Sequence, residues 1–135
     1  MKLSPAAELA VRGILILTEH YGEGPVTLDA ICAKRKLPKQ YLTKIFAQLA
    51  RVGLVTPVRG KRGGYLLGKP PDDINLLQVI EAVEGPIVLN ICQHSPTQCH
   101  EEFCKIRPVW TELQQAVKEK LSGLKLSQCV GRIDH

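Results

Sequence analysis

Three cysteines of this 135-residue chain, Cys92, Cys99 and Cys104, lie close together in one polar stretch. Thiolates are soft metal ligands, and three of them in a single loop suit an iron-sulfur cluster, of the 2Fe-2S or 4Fe-4S type, that takes a fourth and weaker ligand. Their spacing is wider than that of the paired cysteines in a structural zinc site, and no second pair occurs elsewhere. We therefore predict an iron-sulfur cluster, with a zinc-bound or metal-free loop as the alternative.

The residue types leave the fourth ligand of such a cluster open. The candidates are Glu8, His94, His100 and Cys129. Glu8 interrupts an apolar stretch near the N-terminus, which is unusual for a surface residue, but an ion pair with Arg12 four residues later is the simpler explanation. Five cysteines in a chain with no recognisable secretion signal also argue against a disulfide framework.

The stretch from Ala30 to Pro71 is strongly basic. It contains ten lysines and arginines and no Asp or Glu, whereas the remaining eight basic residues share the rest of the chain with all 13 acidic ones. A polyanion such as DNA would bind the basic part, and the acidic part would then have a separate function. A solvated basic surface is the alternative, but the elements predicted for this stretch favour DNA.

Three helices are predicted to position the basic side chains. The first helix fades at the Gly-Pro break of residues 22–25. Thr27 is a good N-cap for a short second helix, and Pro38 suits the first turn of a third helix that ends at Gly53. Two short helices joined by a brief turn form a helix-turn-helix pattern, whose second helix enters the major groove of DNA.

A hairpin and two further helices are predicted to follow. The runs LVTPVRG and GGYLLGK are rich in strand-forming residues and are joined by a basic, glycine-rich turn, which makes them a wing. Asn75 can cap a fourth helix, and a last helix begins between Lys105 and Pro108. The sequence therefore predicts a mainly α fold with a small β-hairpin: a winged helix-turn-helix domain and a long C-terminal dimerisation helix.

The predicted DNA-binding residues lie at the start of the third helix and at the tip of the hairpin. Gln can pair with adenine, Lys can pair with guanine or neutralise a phosphate, and arginine at a hairpin tip can enter the minor groove. Tyr41 has half-buried packing as its alternative role. The full set is Lys39, Gln40, Tyr41, Thr43, Lys44, Arg59, Lys61 and Arg62.

The last helix repeats apolar residues, Trp110 among them, at three- and four-residue intervals. Such a long apolar stripe beyond a small complete domain predicts the seam of a homodimer. We divide the chain into a DNA-binding domain (1–85), a cysteine-bearing cluster loop (86–104), a dimerisation helix (105–126) and a tail (127–135).

The chain from Met1 to about Gln128 resembles the IscR-type family of bacterial iron-sulfur transcription regulators, whose relatives include the nitric-oxide sensor NsrR and the iron regulator RirA. The resemblance lies in MKLS, YLTKIFAQLARVGLV, VRGKRGGYLLGKP, INLLQVIEAVEGP and the three-cysteine loop. It implies a homodimer with crossed C-terminal helices and a cluster near the dimer interface. DNA contacts by the third helix and the wing, and cluster ligation by the three cysteines, are implied as well.

The chain departs from the family pattern just after the third cysteine and in the first helix. The IscR branch has a histidine three positions after the third cysteine, where this chain has Arg107. The ELAVR stretch instead resembles the NsrR pattern, in which an acidic residue of the first helix completes the cluster. The resemblance thus makes Glu8 the preferred fourth ligand, in its own subunit or donated by the partner subunit. The first helix also has Pro5-Ala6-Ala7 where the family often has a basic pair.

We therefore expect a transcriptional repressor that binds a double-stranded DNA operator and senses iron-sulfur, redox or nitric oxide status. A small iron-sulfur electron carrier is a weaker alternative, because it would not need the basic stretch or the wing. No phosphate-binding glycine loop, HExxH motif or His-Cys pair at catalytic spacing occurs, so we do not expect an enzyme. With no signal peptide or membrane span in the sequence, a soluble cytoplasmic protein is expected.

Overall fold

The computed structural model describes residues 3–88 and 105–130, apart from the side chain of Arg35. The three predicted cluster cysteines, Cys92, Cys99 and Cys104, and the candidate ligands His94 and His100 lie outside the described residues. The described elements are α1 (Pro5–Glu19), α2 (Leu28–Arg35), α3 (Lys39–Arg51), β1 (Val55–Val58), β2 (Gly64–Leu67), a 3-10 turn (Pro71–Asp73), α4 (Leu76–Glu84), α5 (Arg107–Ser122) and α6 (Leu126–Cys129). The fold is mainly helical with one two-stranded antiparallel hairpin, which confirms the predicted fold class.

The predicted helix starts are confirmed by their caps. The Thr27 hydroxyl accepts a hydrogen bond from the Ala30 N–H at 3.1 Å and begins α2. Asn75 and Gln78 form a capping box at α4, in which each side chain accepts from the other residue's backbone N–H at 2.9 and 3.0 Å. These bonds satisfy donors that the first turn of a helix leaves unpaired, so polar residues at these positions fix where each helix begins.

The turn between α2 and α3 passes through Lys36, which has a φ of 53°. Among the described residues it is the one non-glycine residue in the left-handed region, where an L side chain costs roughly 1–2 kcal/mol. The Lys36 N–H bonds back to the carbonyl of Cys32, and Leu37 is then buried before Pro38 starts α3. This tight turn sets the angle at which α3 leaves α2.

The hairpin also pairs with the segment that precedes α2. β1 pairs with β2 in the register Val55 with Leu67, and β2 pairs in turn with Val26 through two backbone hydrogen bonds of Tyr65, at 2.8 and 3.0 Å. Gly64 has a φ of +154°, and a Cβ there would lie 2.2 Å from the Val26 carbonyl oxygen. Glycine is therefore required for the wing to approach the segment before α2 this closely.

The core lies between α1, α3, α4 and the hairpin. α3 buries Leu42, Ile45, Phe46 and Leu49 on its inner face. The Phe46 ring is fully buried, and its centroid lies 4.7 Å from that of Tyr65. A Cβ at Gly13 of α1 would lie 3.0 Å from the same ring, so α1 and α3 are in close contact here.

After α5 the chain returns to the winged domain. Leu76 N–H donates to the Leu124 carbonyl and Leu126 N–H to the Ile74 carbonyl, both at 2.9 Å, and Leu126 is fully buried in the core. The Ser127 hydroxyl donates to the carboxylate of Asp72. The boundary of the predicted tail at residue 127 thus falls inside a packed helical turn, α6, that belongs to the globular body.

None of the helices in the described part of the chain is long and apolar enough to cross a membrane.

Candidate DNA interface and sensor attachment

The first turns of α3 present the predicted base-reading residues at the surface. Lys39, Gln40, Tyr41, Thr43 and Lys44 are all exposed, because the buried positions of this amphipathic helix fall on its opposite face. Since α3 packs on the core through its buried face, the helix that carries these side chains has a fixed orientation before any DNA binds. Such preorganisation reduces the entropy that is lost on binding.

Two of these residues already have partners within the protein. The Lys39 ammonium lies 2.6 Å from a carboxylate oxygen of Asp29 on α2, and this hydrogen bond and charge raise the pKa of Lys39 above its ordinary value. Lys39 therefore stays cationic, but Asp29 offsets part of the charge that it offers to DNA. The Thr43 hydroxyl donates to the Lys39 carbonyl at 2.9 Å, so its hydrogen is used within the helix and its oxygen lone pairs remain available.

Tyr41 lies at the surface, with 40% of the residue exposed. It is not part of the buried core, although half-buried packing was the alternative that its sequence position allowed. Together with Pro38, Gln40 and Lys44 it lines a shallow pocket at the start of α3. The ring is thus placed where it can touch a sugar or a base edge.

The hairpin tip carries the second predicted set of DNA-binding residues. Arg59, Lys61 and Arg62 are exposed in the turn between β1 and β2. The turn is closed by a hydrogen bond from the Gly63 N–H to the Gly60 carbonyl at 3.0 Å. This geometry concentrates three positive charges on a narrow projection, which suits insertion into a DNA groove.

Glu8 projects from the exposed face of α1. Its Oε1 lies 2.5 Å from Nη2 of Arg12, and both side chains are about half exposed, at 55% and 52%. The ion pair considered from sequence is therefore present, and the carboxylate is also accessible from outside. Within residues 3–88 and 105–130, no three His, Cys, Asp or Glu side chains are close enough together to hold a metal ion.

The last described residues before the cysteines lie close to the start of α1. Ile87 is buried against Ala7, the neighbour of Glu8, in a small cluster that also contains Ile80 and Leu121. One turn earlier, at the end of α4, the Glu84 carboxylate accepts a hydrogen bond from the Ser4 N–H at 2.5 Å. Neither contact could be predicted from the sequence, because local patterns carry no information about residues that lie 80 positions apart.

α5 differs from the other described helices of eight or more residues, each of which buries at least one residue. None of its residues is buried, and three large apolar side chains, Ile106, Val109 and Leu113, are 42–46% exposed. On the same helix, the Trp110 indole N–H and the Gln114 amide oxygen are shielded from solvent without a hydrogen-bond partner among the described residues. α5 therefore carries an exposed apolar stripe, a kind of surface that marks protein–protein contact sites.

Comparison with known proteins gives one consistent result. The family profile "Rrf2: Iron-dependent Transcriptional regulator" matches residues 3–132. The chain is 34% identical over 130 residues to the HTH-type transcriptional regulator IscR of Erwinia tasmaniensis, covering 96% of this chain and 79% of that protein. It is also 34% identical over 136 residues to the HTH-type transcriptional regulator CymR of Bacillus subtilis, covering 99% and 93%.

Solved structures agree in fold. The structure of CymR (YrzC), the global cysteine regulator of B. subtilis, matches with a TM-score of 0.86 at 30% identity over 99% of each chain. The structure of T. potens IscR matches with a TM-score of 0.79 at 30% identity, covering 96% of this chain and 86% of that one. The relatives are DNA-binding transcriptional regulators, which are not enzymes, as the lack of catalytic motifs predicted. The profile over nearly the whole chain, the full-length relatives and the winged helix with its basic exposed face lead to one conclusion: the chain belongs to the Rrf2 family of transcriptional regulators.

Proposed function

We propose that this regulator is a homodimeric, operator-binding repressor whose DNA affinity is set by an iron-sulfur cluster on Cys92, Cys99 and Cys104. Glu8 is the fourth ligand, and iron-sulfur, redox or nitric oxide status is the signal. The proposal depends mainly on one observation: the chain enters the cysteine segment from Ile87, which packs against Ala7, directly beside an accessible carboxylate on α1. Because its partner is operator DNA, we place its action in the cytoplasm.

The donor set fits such a cluster. Three thiolates are the ligands that iron-sulfur clusters prefer, and a carboxylate is a weaker ligand that is easily lost. Glu8 is half exposed and is engaged by Arg12 alone among the described side chains, so exchanging that pair for a ligand bond costs little. When bound, the cluster supplies a redox- and nitric-oxide-reactive centre whose loss changes which segments are tied together.

A physical route connects this region to the recognition helix. The Glu84–Ser4 hydrogen bond and the Ile87–Ala7 contact join the end of α4 to the start of α1. α1 in turn lies against the Phe46 ring of α3 at Gly13. A change at the cysteine segment can thus shift α1 and α3 as a unit. A dimer must present its two recognition helices about 34 Å apart, so a small shift alters DNA affinity strongly.

A second candidate is a regulator with the same DNA interface and a zinc-bound or metal-free cysteine segment. The observation in its favour is the strong structural match to CymR, which is named as a cysteine regulator. The two candidates share every DNA-binding residue and differ only in what the cysteines hold. Purified protein therefore distinguishes them directly.

The deciding experiment is an anaerobic purification with a visible spectrum and an iron and sulfide assay, followed by DNA binding before and after exposure to air or nitric oxide. We expect a coloured protein whose DNA affinity changes when the cluster is lost. A colourless protein that binds DNA equally throughout would support the second candidate instead.

The role of Glu8 is tested by comparing Glu8→Ala with Glu23→Ala. Glu23 is a carboxylate just after α1 whose side chain is 66% exposed and lies 2.8 Å from Nδ1 of His20, so its removal is a matched loss of one carboxylate and one side-chain contact. Glu8→Ala should lose its visible absorption in air faster than the parent protein, whereas Glu23→Ala should behave like the parent. An unchanged spectrum and air stability in Glu8→Ala would exclude Glu8 as a ligand.

A further inference from the structure

An open groove of about 450 Å³ lies where the start of α1 meets α3 and the end of α4. Its floor is apolar and includes Ala6 of α1 and Val83 of α4. Its rim is polar and is formed by four residues of α3: Tyr41, Lys44, Gln48 and Arg51. The groove therefore extends along α3 from the predicted base-reading residues to the last turn of the helix.

The rim offers hydrogen-bond donors and positive charge. Lys and Arg are cations, and the Gln amide and the Tyr hydroxyl can also donate. No carboxylate lines the groove. The Glu84 carboxylate, at the adjoining end of α4, is held by the Ser4 N–H. A site with this composition selects an anion.

The position of the groove identifies which anion. Tyr41 and Lys44 line the groove and also belong to the exposed start of α3, so the groove is continuous with the proposed DNA interface. Arg51 lies on the same helix seven residues beyond Lys44, roughly 10 Å further along its axis. In helix-turn-helix proteins the first residues of the recognition helix contact base edges, so its last turn faces the sugar-phosphate backbone.

We propose that this groove is a binding site for a backbone phosphate of the operator, held by Gln48 and Arg51 together with Lys44. The inference rests on the proposed use of α3 as the recognition helix and adds two residues to it. The short side chains of Ala6 and Ala47 leave room for the DNA backbone to approach α3. Because phosphate contacts carry no sequence information, Gln48 and Arg51 fix the position of the protein on DNA without selecting bases.

The test compares Arg51→Gln and Gln48→Ala with Lys69→Gln, a matched charge loss at the base of the hairpin that does not line this groove. Fluorescence anisotropy measures binding to a duplex selected by this protein from a randomised pool and to a scrambled duplex, across a salt series. Arg51→Gln should weaken binding to both duplexes by the same factor, on the order of tenfold at 0.1 M salt, and reduce the salt slope by about 1.8, because each dimer loses two phosphate contacts.

The remaining variants complete the test. Gln48→Ala should weaken both duplexes by a smaller common factor without a change in slope, since it removes no charge. Lys69→Gln should match the parent, and Arg51→Lys should restore the parent slope. Parent-like binding by Arg51→Gln, or a loss confined to the selected duplex, would overturn the phosphate site while leaving DNA binding intact. Failure of the parent protein to bind either duplex would overturn the proposed function itself.

Discussion

α3 and α5 are both amphipathic helices of similar length, 13 and 16 residues, but their apolar faces differ in burial. α3 buries four large side chains against α1, α4 and the hairpin, whereas α5 buries none. The apolar face of α3 is satisfied within one subunit, so its polar face is fixed in advance. The apolar face of α5 stays exposed in the described chain, as the seam of the proposed homodimer would require.

The two helices should therefore contribute to different free energies, α3 to the free energy of unfolding and α5 to the free energy of association. Fully burying a large apolar side chain contributes about 1.5–3 kcal/mol, which α3 gains four times when the monomer folds. Val109 and Leu113 of α5 remain more than 40% exposed, so their burial would contribute to association in the proposed homodimer. Substitutions in α3 should therefore change unfolding, and substitutions in α5 should change assembly.

The largest expected effect is that of Phe46→Ala on stability. The ring is fully buried against Gly13 and Tyr65, and its removal leaves a cavity between α1, α3 and the hairpin. We expect a loss of about 3–5 kcal/mol in the free energy of unfolding, measured by urea denaturation. Tyr41→Ala, an exposed aromatic on the same helix, is the control and should cost less than about 0.5 kcal/mol. Equal losses in the two variants would contradict the proposed division of α3 into a core face and a surface face.

The next effect is that of Leu113→Asp on assembly. Leu113 is 46% exposed, so a charge there costs the isolated subunit little, but each dimer would bury two of them at its seam. We expect the dimer dissociation constant to rise at least about a hundredfold, or about 2.7 kcal/mol, in sedimentation equilibrium. Gln115→Asp, an exposed polar position on the same helix, should remain dimeric. A Leu113→Asp protein that stays dimeric would place the seam elsewhere.

The smallest effect is that of Lys36→Gly at the turn before α3. Glycine removes the cost of the left-handed backbone, partly offset by the greater freedom of the unfolded chain. We expect a gain of about 0.5–1 kcal/mol in unfolding free energy with unchanged dimerisation, whereas Lys36→Ala should match the parent. If Lys36→Gly altered the oligomeric state, the separation between the α3 and α5 regions would be incomplete.

Much of the winged domain followed from local sequence signals. Thr27 and Asn75 act as caps where they were predicted to, and the inner face of α3 is the one given by its 3.6-residue period. The hairpin was predictable because strand-forming runs flank a glycine-rich turn. All of these signals operate over a few residues, so the folded environment had little opportunity to override them.

The candidate sensor site was less accessible to such reasoning. The types and spacing of Cys92, Cys99 and Cys104 predict their chemistry, but the sequence does not say which face of α1 carries Glu8 outward or that Ile87 packs beside it. Most of the short helix α6 was likewise assigned to the tail that was predicted to begin at residue 127. Leu126 was placed at the end of the dimerisation helix, but it is buried by contact with distant residues of the core.

The sequence by itself predicted the five longer helices, the wing, the basic surface and the candidate ligands, because caps, periodicity and charge are properties of neighbouring residues. Only the tertiary structure decided that the apolar face of α3 is buried and that of α5 is exposed. It also decided that the Glu84 carboxylate accepts a hydrogen bond from the Ser4 N–H, and that Gln48 and Arg51 line one groove with Lys44. Each of these relations is a contact between residues that are distant in the sequence, and such contacts form only when the whole chain packs together.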